Sequence, residues 1–342
     1  MNIVVFCPNL IGDTVMATPA FRSLRQAFPD AKIVGVIKPH VAPTLDGAPW
    51  FDEIIRFDHK SKDDQFRTRA VIKRIRQDRP ELAVLFPNSF RSALIAWFSG
   101  IPRRIGFGKG GRGLLLSDAL SFPKGKDGKR VPFPIVESYL EITKLLGCRP
   151  ESLRPELFTT AKDEAAAEHA WERLGLSNHS RVICLNTGGA FGPAKSWPEE
   201  YFGQVARRLA EERGVGVLVL CGPSERDAAR SIVRLADHPS VVSLADEPLS
   251  IGLSKASVRR SALMITTDSG PRHFAAAFKV PVLTLFGPTN IGWTRTYHPH
   301  AVHLYRKVPC GPCQKPECPL GHHRCMKELT PVTVFEAACR FL

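Results

Sequence analysis

At 342 residues with 44% hydrophobic side chains, the chain is long enough for two domains and apolar enough to bury a core in each, which excludes a disordered protein. Its formal net charge is +14, most of it within residues 1–160, so phosphate-bearing partners are favoured; nucleic acid is not, because no zinc-finger spacing and no RNA-binding signature is present. No run approaches the ~20 apolar residues of a membrane span. The opening Met1-Asn-Ile-Val-Val-Phe6 enters a strand with no basic leader, so a cytoplasmic protein, at most peripheral on a membrane, is expected. The nine cysteines are then expected mostly reduced.

In chain order, Ile3 to Phe6 is a buried strand and a helix follows from about Val15 to Phe28. Between them Gly12 permits a tight approach and Asp13 precedes the helix. Asp13 reads either as a helix cap or, at the carboxyl end of a first strand, as a general base. Strands follow at Lys32 to Ile37, Ile54 to Phe57 and Leu82 to Phe86. The helix predicted from about Asp63 to Arg79 carries Arg67, Arg69, Lys73, Arg74, Arg76 and Arg79, either a solvated face or a surface for anionic headgroups. Arg91 to Phe98 reads as a helix. The segment from Arg103 to Gly113 is rich in glycine and cations and predicts a mobile loop. Its Arg103, Arg104, Lys109 and Arg112 are candidates to clamp acceptor phosphates, with Lys124, Lys126, Lys129 and Arg130 just beyond. Val136 to Leu146 reads as a helix, and residues 148–160, with Pro150 and Pro155, as a linker.

The second half repeats the alternation. A helix at Ala161 to Leu174 precedes a strand at Arg181 to Leu185, which leads into the glycine-rich Asn186-Thr-Gly-Gly-Ala190. Lys195 follows, with Ser196 placed to cap the next helix, so the lysine is a candidate phosphate ligand. Val215 to Cys221 is a strand followed by Glu225, which suits either the first turn of a helix or the ribose hydroxyls of a nucleotide. Val241 to Leu244 and Pro248 to Ala256 give a further strand and helix. Leu263 to Ile265 and Val282 to Phe286 are strands with a helix from Pro271 to Phe278 between them, a parallel β-α-β unit. Asp268, Ser269 and Gly270 form its turn, and the N–H groups of the helix start favour a diphosphate there. No Gly-x-Gly-x-x-Gly follows the first strand, which disfavours a nicotinamide dehydrogenase.

Asp268-Ser-Gly-Pro-Arg-His273 with its alanine-rich helix and Phe286-Gly-Pro-Thr289 resembles the nucleotide-sugar motif of the heptosyltransferases, glycosyltransferase family 9, which build the inner core of lipopolysaccharide. Gly12-Asp13-Thr-Val-Met-Ala-Thr-Pro19, the Arg-Ile-Gly-Phe piece and Lys195-Ser-Trp-Pro198 also match, so the resemblance covers nearly the whole chain. Arg272 departs from it, standing where the family has Met or a similar residue. The resemblance implies an α/β chain of GT-B architecture, two Rossmann-like domains with parallel sheets facing a cleft. It implies an acceptor domain over 1–155, a nucleotide-sugar domain over 156–329, and a terminal helix, 330–342, packing back across the junction. It implies ADP-heptose as donor, a heptose of the lipopolysaccharide core at the inner membrane surface as acceptor, inversion at the anomeric carbon, and no cofactor. Asp13 would be the base. Thr187, Lys195, Glu225, Asp268, Ser269, Gly270 and His273 would bind the donor. Another sugar nucleotide, an epimerase of the same fold and a non-catalytic binding protein remain as alternatives.

Cys310, Cys313, Cys318 and Cys325 fall close together, with His322 and His323 between them. A structural zinc, disulfides and reduced thiols are all compatible with this spacing. The segment is also similar to the C-terminal tail found in the family. Thr330 is placed to cap a last helix, Val332 to Phe341.

Overall fold

Short runs of Val, Ile and Leu with no polar interruption suit strands buried on both faces, and both halves of the chain are built on them. The computed structural model describes residues 1–342 except 126, 127, 129, 130 and 190, so Lys126, Lys129, Arg130 and Ala190, named above, lie outside the described residues. The chain divides into two compact units, residues 1–158 with 292–295 and residues 159–291 with 296–342.

The first unit holds strands β1 (Asn2–Phe6), β2 (Lys32–Ile37), β3 (Glu53–Arg56), β4 (Leu82–Leu85), β5 (Arg103–Phe107) and β6 (Asp118–Leu120). They form one parallel sheet in the order β3-β2-β1-β4-β5-β6. Its helices are α1 (Ile11–Met16), α2 (Thr18–Ala27), α3 (Thr68–Gln77), α4 (Phe90–Phe98) and α5 (Ile135–Lys144). One face of the sheet, through Val4, Val34, Ala83 and Leu85, packs on Val71 and Ile75 of α3 and on Ala93, Ile95 and Ala96 of α4. Each Val, Leu or Ile so buried contributes roughly 1.5–3 kcal/mol.

Three expectations are corrected here. The single helix from Val15 is two, α1 and α2, divided at Ala17; Pro19 lies in the first turn of α2, where its missing N–H costs nothing. The helix from Asp63 begins only at Thr68, because the Asp63 carboxylate accepts the N–H of Gln65 and closes a separate short turn. The supposed mobile loop opens as strand β5, whose Ile105 and Phe107 are buried. Gly106 is in that strand because a Cβ there would lie 2.8 Å from Nη2 of Arg112.

The second unit holds β7 (Val182–Asn186), β8 (Gly216–Leu220), β9 (Val241–Ser243), β10 (Leu263–Thr267), β11 (Val282–Phe286) and β12 (Ala301–Tyr305), parallel in the order β12-β11-β10-β7-β8-β9. Counted from its own first strand this is the order of the first unit. Its helices are α6 (Ala161–Arg173), α7 (Glu199–Arg213), α8 (Arg226–Ala236), α9 (Ile251–Arg260), α10 (Arg272–Ala277), α11 (Arg324–Lys327) and α12 (Pro331–Cys339). β12 escaped the sequence reading because it is an edge strand with half-exposed residues rather than a buried run. Ser196 does not cap α7: it ends a short turn over 193–195, and the residue before the helix is Pro198, which has no side chain to cap with. Thr330 does cap α12. That helix packs on α7 of its own unit, with the Arg208 guanidinium 3.9 Å from the Phe335 ring centre.

In open sheets of this order a crevice opens at the carboxyl ends of the two strands where the winding reverses. Those strands are β1 and β4 in one unit and β7 and β10 in the other. Leu85 sits at such a point, fully buried in the core. Leu85→Ala should lower the urea unfolding free energy by about 2–5 kcal/mol, with the loss read from the transition midpoint at constant slope.

Candidate active site

The loops after β7 and β10 bring polar residues together in the second unit. Asn186, the last residue of β7, donates from Nδ2 to Ser269 Oγ at 2.9 Å, and Ser269 Oγ also pairs with Thr266 Oγ1 at 3.0 Å. The Ser269 hydroxyl is thus engaged in holding the β10 loop against β7. Asp268, only 6% exposed, is the hub. Lys195 Nζ donates to its Oδ2 at 2.8 Å and to its main-chain oxygen at 2.9 Å. Arg272 Nη1 donates to Oδ1 at 2.7 Å, and Thr289, just past β11, donates to Oδ2 at 2.7 Å. Burial alone would push the Asp268 carboxyl up. The charges of Arg272 and Lys195, with the bonds from Lys195 and Thr289, outweigh it and hold the pKa at about 2. Two cations against one carboxylate leave a surplus positive charge in a largely desolvated place, the electrostatic setting a diphosphate needs.

Arg272 is fully buried, its guanidinium 4.9 Å from the Phe286 ring centre. Burial lowers its pKa and Asp268 opposes that shift. Burial, then the charge of Arg272, also keeps His273 well below the usual imidazole range, and the same two causes bring His303 to about 4. Both rings are neutral near pH 7. His273 is 3% exposed and its Nδ1 has no partner among the described residues.

Thr187 and Gly188 follow Asn186 directly. A Cβ on Gly188 would fall 1.6 Å from Oε1 of Glu225, so the carboxylate after β8 rests against this loop. Its other oxygen accepts the Gly222 N–H at 2.8 Å, which also makes Glu225 the local cap. Gly270 leads into α10, which has only six residues. What that end offers an anion is individual N–H groups rather than the dipole of a long helix.

In the first unit Asp13 lies within the first turn of α1, whose N-cap position is Leu10 and carries no side-chain cap bond. Asp13 is therefore not the cap. It stands after β1 at the switch point, close enough to Tyr139 of α5 that its charge, after burial, raises the phenol pKa well above the usual value. Tyr139 in turn meets Phe86 edge-on at 5.1 Å. The candidate phosphate clamp is only partly available. Arg112 is 0% exposed and donates to the main-chain oxygens of Phe107 (2.7 Å), Ser89 (3.1 Å) and Pro87. Burial lowers its pKa to about 10. Arg104 is likewise committed to the carbonyls of Ile101, Pro102 and Leu115. Arg103 and Lys109 remain exposed, Arg103 reaching Asp118 at 3.4 Å.

In the cysteine segment Cys310, Cys313, Cys318 and Cys325 line one small pocket with His322 and His323. Cys310, Cys313, Cys318 and Cys325 are all free thiols, and among the described residues no group of three or more His, Cys, Asp or Glu is placed to hold a metal ion. Of the states that the spacing allows, the structure holds these cysteines as free thiols. The segment's main chain is bonded elsewhere: Pro316 accepts the Ala194 N–H at 2.9 Å and Gln314 donates to Pro288 at 2.8 Å. These bonds brace the loops that carry Lys195 and Thr289. Thr289, Asn186 and Tyr139 were given no role in the sequence reading, although Thr289 and Asn186 both stand inside segments quoted above.

Comparison with known proteins shows the family and the fold. Residues 68–324 match the family model described as glycosyltransferase family 9 (heptosyltransferase). Lipopolysaccharide heptosyltransferase 2 of Escherichia coli (strain K12) is 27% identical over 98% of this chain and 97% of its own length. Lipooligosaccharide heptosyltransferase 2 of Campylobacter jejuni is 26% identical over 100% of this chain and 98% of its own. Among solved structures, E. coli ADP-heptose LPS heptosyltransferase II superposes with a TM-score of 0.82 at 25% identity, covering 100% of this chain and 98% of that one. A Veillonella parvula family 9 glycosyltransferase, 22% identical, shares the fold at a TM-score of 0.83 over 99% of this chain and 96% of its own.

Asp268→Asn removes the charge that the buried Arg272 and the part-buried Lys195 face and should destabilise the protein by about 3–5 kcal/mol near neutral pH. The lowered carboxyl pKa stabilises the fold fully above the unfolded value, about 4, and that contribution is lost as pH falls towards 2. Denaturant titrations on the acid side should show this slope in the wild type and a flatter one in Asp268→Asn. Gly188→Ala forces Glu225 off the Gly222 N–H, and isothermal titration should show weaker nucleotide-diphosphate binding by about tenfold, with the unfolding midpoint little changed.

Proposed function

The chain belongs to glycosyltransferase family 9, the heptosyltransferases, and we propose that it moves L-glycero-D-manno-heptose from ADP-heptose to a heptose of the lipopolysaccharide inner core. The observation that carries this reading is the Lys195–Asp268–Arg272 cluster at the β7–β10 switch point, with its surplus positive charge. Departure of ADP develops negative charge on the diphosphate. Lys195, whose bonds to Asp268 use two of its three donors, meets that charge together with N–H groups of Ser269 to Arg272 and the hydroxyl of Thr187. Because Asp268 fixes the ammonium beforehand, little reorganisation is needed as the bond breaks. Glu225 takes the ribose hydroxyls.

Asp13 removes the proton of the acceptor hydroxyl. The oxygen then attacks the anomeric carbon on the face opposite the leaving ADP, so configuration inverts and the proton ends on Asp13. Its place after β1 supports this role, as does the loss of the cap explanation. Lys109 and Arg103 are the exposed cations nearest in sequence to the committed Arg104 and Arg112 and are proposed to meet acceptor phosphates. Among the described residues no helix is long and apolar enough to cross a membrane, and action at the cytoplasmic face of the inner membrane is part of this proposal.

The test is release of ADP from ADP-heptose with and without a heptose-bearing core acceptor. Release should require the acceptor, and Asp13→Ala should lower kcat by ~100-fold or more with donor binding retained. Turnover of ADP-heptose without acceptor, or an unimpaired Asp13→Ala, would overturn the assignment.

A further inference from the structure

Helix α4, Phe90-Arg-Ser-Ala-Leu-Ile-Ala-Trp-Phe98, is apolar on two sides. Ala93, Ile95 and Ala96 belong to the core. Phe90, Leu94, Trp97 and Phe98 follow at i, i+4, i+7 and i+8 and form the opposite stripe. Phe90 is 50% exposed, Trp97 50% and Phe98 51%, with the last two rings 5.1 Å apart. Beside this helix the turn at 112–115 presents Leu114, 96% exposed. Arg112 fastens that turn to the start of α4 through Ser89 O and Ser92 Oγ. A contiguous set of exposed aromatics and a leucine tip marks an interaction surface.

The neighbouring helix supplies charge. Arg69, Lys73 and Arg76 recur at i, i+4 and i+7 on the exposed side of α3. Among the described residues none of the three has a carboxylate within ion-pair distance, whereas Arg67 and Arg74 do. Arg76 donates from Nε and Nη2 to the main-chain oxygen of Phe98, at 3.1 and 2.5 Å, so the cationic stripe borders the aromatic one.

We propose that this face of the N-terminal unit seats on an anionic lipid surface. The rings of α4 and Leu114 enter the boundary between headgroups and acyl chains, and the α3 cations meet lipid phosphates. A second copy of the chain is a poor occupant, because a two-fold contact would set the same cations against each other. Trp and Phe beside Arg and Lys is the composition that suits the headgroup layer. The inference rests on the functional reading in one respect: a lipid-borne acceptor is what would make such docking useful.

Co-sedimentation with vesicles of phosphatidylethanolamine containing phosphatidylglycerol tests it. Wild type should bind, the double variant Trp97→Ser with Phe98→Ser should bind more weakly by tenfold or more in order of magnitude, and Lys73→Ala and Arg76→Ala should each cost about fivefold at low salt. Brominated lipid should quench wild-type fluorescence, and the quenched component should vanish in Trp97→Phe. Circular dichroism at the assay temperature should show every variant folded, so that lost binding reads as lost docking. The double variant should also turn over a delipidated core acceptor at the wild-type rate. Vesicle binding that is absent in the wild type or unchanged in the double variant would overturn the proposal. So would a wild-type dimer that the double variant converts to monomer, since the face would then join copies. If face-dependent vesicle binding is seen while no core acceptor is glycosylated, the docking surface stands and the functional reading fails.

Discussion

A carboxylate buried to the extent of Asp268 cannot stay ionised unless cations pay for its lost hydration, and that requirement organises the second unit. The cations come from two different places in the chain, Lys195 after β7 and Arg272 at the start of α10, and Thr289 adds a hydroxyl from beyond β11. The ends of three adjacent strands are therefore joined through one side chain. The electrostatic balance favours ionisation decisively, since the two charges overcome a burial effect that acts in the opposite direction. Arg272 then sets the state of its surroundings as well, helping to keep His273 and His303 neutral.

The two units use one strand order, and their candidate site residues fall at the same topological position. They secure that position differently. In the second unit, ion pairs and the bonds from Pro316 and Gln314 brace the loops from behind. In the first, the Arg112 guanidinium, which has no ion pair among the described residues, gathers carbonyl oxygens from the loop after β4 and from the end of β5. One arrangement leaves charge to act on a ligand, and the other uses its charge up on the protein's own backbone.

Much of this was legible in the sequence, for physical reasons. β1, β4, β7, β10 and β11 are apolar runs between turn residues, and such runs have few alternatives to a buried parallel strand. Asp268 and Lys195 were legible as candidates because each follows a strand in a glycine-containing turn. What failed was the meaning of cations. Arg103, Arg104 and Arg112 stand among glycines, a composition that looks solvated, and only the folded backbone gathers the carbonyls that take up Arg104 and Arg112. Asp13 looked like a cap because cap and first-turn positions differ by too few residues for a boundary prediction to separate. The exposed side of α4 was hidden for another reason: a helix apolar almost all round gives no periodic cue to which side meets the core.

The manner in which Arg112 holds its loops has a consequence for how this half of the molecule can change over evolution or by design. Every residue type supplies a main-chain oxygen, so the side chains at Pro87, Ser89 and Phe107 do not set those three bonds. As long as the guanidinium and the backbone path survive, the surfaces of the two loops are free to be rewritten. Such a unit is a chassis on which surface loops can be exchanged without rebuilding the fold beneath them.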